Sequence, residues 1–146
     1  MARALAIGAL LWPLLLGSAV WARRDGHTPI WTSIVYAAAG RLCHQRPERS
    51  FFSGPVQWPV CGRCSGLYLA APVGAVAGWL TRRRSRPVVG WPFVLLLAGV
   101  PTLWTAVAEW MLHWPVSSLW RTGAALPVGA VIALVLVRVT AEGEVH

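Results

Sequence analysis

Residues 43–66 read CHQRPERSFFSGPVQWPVCGRCSG, and the fold follows from how sharply this stretch differs from its surroundings. It holds all three cysteines of the chain, one of its four histidines, and Pro47, Gly54, Pro55 and Pro59 ahead of a closing Cys61-x-x-Cys64. Long apolar runs lie on both sides. A polar, turn-rich segment between two such runs reads as an extramembrane connection between spans.

Composition agrees with that reading. Hydrophobic residues make up 56% of the 146 and charged residues only 12%, against roughly a quarter in an ordinary soluble domain. So little charge does not cover a water-facing surface, and the chain reads as an integral membrane protein. Its net charge is +8 and every basic residue other than histidine is arginine. These arginines are scattered among apolar runs instead of lining one polar face, which speaks against nucleic-acid binding. An odd number of cysteines excludes a framework in which each is paired within the chain.

Residues 4–22 (ALAIGALLWPLLLGSAVWA) carry no charge. At about 1.5 Å per residue they nearly cross a ~30 Å hydrocarbon core. Arg3 and the site at Val20-Trp21-Ala22 also fit a secretory signal peptide, but the length of the run and the immediate Arg23-Arg24 favour a retained span. Residues 30–40 are apolar and too few to cross, so they read as an interfacial or re-entrant helix leading into Cys43, with Trp31 and Tyr36 at headgroup depth. Further spans are expected over residues 64–80, kinked at Pro72, 88–108 and 122–139. Gly74, Gly78, Gly99, Gly123 and Gly129 are candidates for close helix approach. The expected fold is all-α: one membrane domain over residues 1–146, a bundle of about four transmembrane helices, with the Cys/His-containing loop between the first and second spans.

The cluster Arg82, Arg83, Arg84 and Arg86 is the densest positive charge and sets the cytoplasmic side by the positive-inside rule. That places a multi-pass protein in the cell membrane with residues 43–66 and 109–121 outside. Trp79 and Trp91 then bracket the inner loop, while Trp21, Trp31, Trp58, Trp110, Trp114 and Trp120 gather on the outer side.

The chemistry-bearing residues sit in the central stretch. Cys61-x-x-Cys64 has metal-chelate or redox spacing, and Cys43-His44 lies upstream across a loop able to fold back. Cys43, His44, Cys61 and Cys64 together make a tetrahedral Cys3His set of the zinc type. Ser65-Gly66 open an apolar helix whose N-terminal dipole favours thiolate, which serves metal binding and redox chemistry equally. Burial of the cysteines as small packing residues is the plain alternative. Arg46, Arg49 and Arg63 surround them, and planar guanidinium groups suit phosphate or carboxylate. Solvated charge paired with Glu48 is the bland reading. Glu109, beside a span, is a candidate general base. His113, four residues on, is placed on the same helix face, and His27 on the same side.

Tyr36, Cys43-His44-Gln45, Glu48-Arg49-Ser50-Phe51, Gly54, Pro59-Val60-Cys61, Arg63-Cys64 and Gly66-x-Tyr68 resemble the motif of a family of small prokaryotic membrane proteins, domain of unknown function 2085. The resemblance covers about residues 30–138 and implies a fold and a site, not a reaction. In the downstream half Arg121 and Gly123 fit the family pattern, and Glu109 takes a position that is Gln there. Thr105 and Ser118 replace an Asp and an Asn. Some relatives carry Asp at the position of Cys64, which retains metal ligation but not a disulfide.

Three functions follow as expectations. The first is a zinc-type site at the membrane surface with an anionic, lipid-phosphate or small-molecule substrate held by Arg46, Arg49, Arg63 and Arg121. The second is a membrane thiol–disulfide oxidoreductase using Cys61 and Cys64. The third is a non-catalytic scaffold or metal carrier. The lipid bilayer is the expected partner in each, and spans this short leave room for a homo-oligomer.

Overall fold

The computed structural model describes residues 1–81 and 90–142. Five helices and one hairpin follow in order: α1 (Ala2–Arg24), α2 (Ile30–Leu42), β1 (Ser50–Ser53), β2 (Val56–Cys61), α3 (Gly62–Thr81), α4 (Trp91–Met111) and α5 (Ser118–Glu142), with a 3-10 turn at Pro47–Arg49. α1, α3, α4 and α5 are each long and apolar enough to cross a membrane. Their outward faces present large apolar side chains throughout, among them Ile7, Leu14, Val73, Leu96, Leu103 and Leu136. Only a lipid phase covers such a surface without cost. The fold is thus the expected membrane bundle.

The spans differ from the expected boundaries for local reasons. β2 runs into α3 with no connecting residue, so α3 starts at Gly62 and takes Cys64 into its first turn. α5 starts at Ser118 because Ser117 caps it. The Ser117 hydroxyl accepts from the Trp120 amide at 3.4 Å, and its carbonyl accepts from the Arg121 amide at 3.1 Å, as an N-cap serine does. α4 stops at Met111, ahead of Pro115, and His113 turns the chain with φ 51°. His113 therefore lies beyond the helix and does not share a face with Glu109. The arginine run at residues 82–86, used above for orientation, lies outside the described residues.

α3 and α5 pack backbone to backbone. A Cβ on Gly62 or Gly78 would come within 2.6 or 2.7 Å of the carbonyl oxygens of Ser118 and Leu134, and one on Gly66 or Gly74 would press still harder on Thr122 and Ala130. These glycines recur every fourth or eighth residue and so line one helix face. Gly129 answers from α5 against the Leu67 carbonyl at 2.6 Å. Gly74, Gly78 and Gly129 thus act as the sequence suggests, whereas Gly99 and Gly123 face open space. α4 joins through α5, where the Thr102 hydroxyl donates to the Ala124 carbonyl at 2.7 Å.

α2 has 13 residues, about 20 Å of helix, too short to cross. It buries Thr32, Val35 and Ala39 and leaves Ile30, Ile34 and Leu42 exposed, as an interfacial helix does. Leu16 and Ala19 of α1, Val35 and Ala39 of α2, Cys43 and Val60 form one buried cluster, with Trp12, Tyr36 and Tyr68 packed against it. The sequence reading has a plain loop where the hairpin stands. β1 pairs antiparallel with β2 in the register Ser50–Cys61, Phe52–Gln57 and Ser53–Val56, with an irregularity between Ser50 and Phe52. Gly54 supplies the tight turn at φ 63°, a conformation open to glycine at little cost. The pairing sets Ser50, beside the 3-10 turn, opposite Cys61.

Candidate metal centre

Three segments converge on one point. Cys43 ends α2, Cys61 ends β2, and Cys64 sits in the first turn of α3. All three are free thiols, Cys43 buried and the other two half-buried. Their sulfur atoms all lie within 4.8 Å of one another, the arrangement of a group able to hold a metal ion. The Cys61 amide donates to the Cys43 sulfur at 3.2 Å, which stabilises negative charge there. The Cys64 side chain, hydrogen-bonded to Cys61, is the main influence that lowers the Cys61 thiol to about 5, with a smaller contribution from Cys43. Burial opposes this and is outweighed.

A cavity of about 370 Å³ opens beside the sulfurs. His44, Arg46, Arg49 and Arg63 line it together with the three cysteines, Gln45, Leu42 and Trp110. His44 is exposed and stands outside the three-sulfur group. The structure therefore brings three of the four expected ligands together and places the fourth on the wall of the same cavity.

The arginines divide into two kinds. Arg63 is anchored: its Nη2 donates to Glu109 Oε2 at 2.9 Å and lies 3.5 Å from Thr105 Oγ1. Arg121 is anchored more tightly, its Nε donating to Glu109 Oε1 and its Nη1 to the Glu48 carbonyl at 3.3 Å. Both oxygens of Glu109 are thereby occupied, and its side chain is only 8% exposed. Arg46 makes only a loose 4.0 Å pair with Glu48, both well exposed. Arg49 makes no ion pair among the described residues. Arg63 also keeps a buried Nε without a hydrogen-bond partner there. Unpaired guanidinium donors beside three sulfurs make the cavity attractive to an anion. His27 is exposed in the turn after α1 and lines none of this.

The sequence reading misses Gln45, Gln57 and the working contacts of Tyr36. Tyr36 is half-buried: its hydroxyl donates to the Gln57 carbonyl at 2.8 Å, and the Arg23 guanidinium stacks 3.8 Å above its ring. Burial raises its pKa, and Arg23 works against that. The only signal in the sequence was that Tyr36 and Gln45 belong to the motif string.

Fold and site together define a helical membrane protein with a thiol cluster at one end of its bundle. The family model "Predicted membrane protein (DUF2085)" matches residues 43–135, and the chain belongs to that family. It is similar to an uncharacterized protein of Methanocaldococcus jannaschii, 43% identical over 42 residues, which cover 29% of this chain and 27% of that protein. It is also similar to an uncharacterized protein of Methanothermobacter thermautotrophicus, 28% identical over 93 residues, 64% of this chain and 82% of the relative. The match thus spans about a quarter of the first relative and four fifths of the second. No solved structure matches the chain.

Proposed function

We propose that this protein holds one zinc-type ion at the membrane surface and presents it to an anionic ligand of the lipid-phosphate class. The observation that carries the reading is the convergence of the Cys43, Cys61 and Cys64 sulfurs within 4.8 Å. Three thiolates with an imidazole form a donor set that suits zinc, and His44 is the nearby imidazole. With the three cysteines alone as ligands the fourth position would stay open, and the bound ion would supply Lewis acidity there towards an ester or phosphoester oxygen; with His44 as fourth ligand the site would be closed and structural. Arg49 and Arg46, with no strong partner of their own, bind and orient the anion. Arg63, on the wall of the same pocket and held by Glu109, adds fixed positive charge. Glu109, with both oxygens engaged, serves by fixing Arg63 and Arg121, not by taking a proton. Leu42 and Trp110, exposed and apolar on the cavity wall, suit a ligand with an acyl chain. We place the site on the extracytoplasmic face. The run Arg82, Arg83, Arg84 and Arg86 supports this by the positive-inside rule.

A second reading rests on the contact between Cys61 and Cys64. As a dithiol they would form a disulfide by releasing two protons and two electrons to a partner disulfide, which leaves as two thiols.

The deciding experiment is elemental analysis of detergent-purified protein beside its Cys61→Ser/Cys64→Ser variant, with free thiols counted in both. About one zinc per chain in the wild type and none in the variant is expected from a site of this kind. No metal, with two thiols missing until reduction, would replace the first reading by the second.

A further inference from the structure

Cys43 and Cys61 reach the same point from separate segments, and one side chain ties those segments together. Gln45 stands in the left-handed region at φ 47°, which residues other than glycine rarely adopt. Its Nε2 donates to the Tyr36 carbonyl of α2 at 2.9 Å and to the Pro59 carbonyl of β2 at 2.8 Å. Two carbonyl acceptors fix which end of the carboxamide faces them, since only the NH2 end donates. In return the Gln45 carbonyl accepts from Gln57 Nε2 at 2.6 Å, and Gln57 Nε2 also reaches Ser50 Oγ at 3.2 Å. The Tyr36 hydroxyl closes the ring on the Gln57 carbonyl at 2.8 Å. Tyr36, Gln57 and Gln45 thus each donate to the backbone of the next.

We propose that Gln45 is a positioning residue for the thiol centre, its carboxamide holding the Cys43 segment in register with Cys61. The inference rests on the metal reading above. Gln45 follows Cys43 by two residues, and Pro59 precedes Cys61 by two, so the amide spans the segments at the same remove from both sulfurs. The 3.2 Å contact from the Cys61 amide to the Cys43 sulfur lies between them. The Gln45 carboxamide packs closely on α2, where a Cβ on Gly40 would touch it at 3.4 Å. The geometry requires a double donor. Glutamate has the same shape but, when ionised, turns oxygen lone pairs towards two carbonyl oxygens. Alanine leaves both carbonyls without this donor.

The test uses the full chain in detergent, titrated with Co(II) and followed by thiolate-to-cobalt and d–d absorption. Gln45→Ala and Gln45→Glu should each weaken cobalt binding about 10- to 100-fold, as loss of a group supporting metal ligands does, with reduced thiolate absorption and unchanged helix content. Gln45→Gly relieves the left-handed backbone but lacks the carboxamide, so it should be as defective as Gln45→Ala. Gln57→Ala, which removes one bond of the ring, should show a smaller loss of the same kind. Alkylation of metal-free protein, read by mass spectrometry, supplies an independent arm: buried Cys43 should react faster in Gln45→Ala than in wild type. Wild-type cobalt affinity, spectrum and Cys43 protection in both Gln45→Ala and Gln45→Glu would overturn the inference and leave the metal reading standing. Full rescue by Gln45→Gly would overturn it in favour of backbone strain. A wild type that binds no cobalt would remove the metal reading, and Cys43 protection would then decide the role of Gln45 alone.

Discussion

Glu109→Gln preserves the shape of a buried side chain and removes its charge. In the wild type one carboxylate serves two guanidinium groups, and the side chains of Glu109, Arg63 and Arg121 are 8%, 21% and 9% exposed. Removing one partner of a buried ion pair costs about 3–5 kcal/mol, chiefly because the remaining charge is stranded. Arg63 is a fifth exposed, so water screens part of its share. The amide oxygen still accepts from one guanidinium, while its NH2 group faces the other without an acceptor. These corrections point to the lower end, about 3 kcal/mol. Reversible unfolding in mixed micelles with rising SDS, followed by tryptophan fluorescence, reads this as a shift of the midpoint. Because Arg63 lies between Cys61 and Cys64, zinc content should fall as well. A double variant, Arg63→Gln/Glu109→Gln, should lose less than the sum of the single changes, since the two groups share one interaction. A Glu109→Gln protein as stable as wild type within about 0.5 kcal/mol, with full zinc, would refute this reasoning.

Two further outcomes separate particular contacts. Gly74→Leu should destabilise by about 3 kcal/mol or more, because overpacking against a neighbouring backbone has no side chain to yield; Gly99→Leu, in open space, should stay within about 0.5 kcal/mol. Equal effects of the two in the SDS midpoint would sink the close-packed α3–α5 interface. In metal-free protein Cys61 should alkylate readily at neutral pH, losing reactivity as pH falls through about 5. A thiol held below its ordinary 9.0 stabilises the fold fully above that value and not at all below about 5. Metal-free protein should therefore unfold at lower SDS at acid pH than at mildly alkaline pH, and an opposite slope would contradict the shift.

The spans were legible because each contains a long apolar run with few charges, and hydropathy alone distinguishes such runs from a polar connection. Cys43, Cys61 and Cys64 were legible as a set from spacing and the family motif. The hairpin was not. SFFS and VQWPVC are short, and Pro59 weakens any strand assignment, although Gly54-Pro55 marked the turn. The roles of Glu109, Arg63 and Arg121 were hidden for another reason. Sequence shows charges near a membrane end but not which of them meet, and the meeting depends on where α4 packs against α5. His113 misled because helical spacing from Glu109 was counted through a region where Pro115 ends the helix. Gln45 and Tyr36 stood in the motif, but a glutamine bonded to two carbonyls leaves no pattern in composition or periodicity.

The thiol centre joins two bodies that are otherwise held by different means. Cys64 and Arg63 belong to α3, which is fixed by glycine contacts with α5 and does not need a metal. Cys43 and Cys61 belong to the α2 end and the hairpin, held by polar bonds through Gln45, Gln57 and Tyr36 and by apolar contact with α1. The apolar support of this clasp is the small cluster of Val35, Ala39, Cys43 and Val60 with Leu16 and Ala19 of α1, less extensive than the α3–α5 interface, so the clasp is expected to open before the bundle. A bound ion would tie Cys43 and Cys61 of the clasp to Cys64 of the bundle, and removing it should loosen the clasp first. Hydrogen exchange on zinc-loaded and chelator-treated protein should show faster exchange at residues 43–61 after chelation, with the α3 and α5 interface unchanged. Exchange that rises equally along α3 and α5 would mean that the ion holds up the whole bundle, and the division between a self-sufficient bundle and a metal-dependent clasp would be wrong.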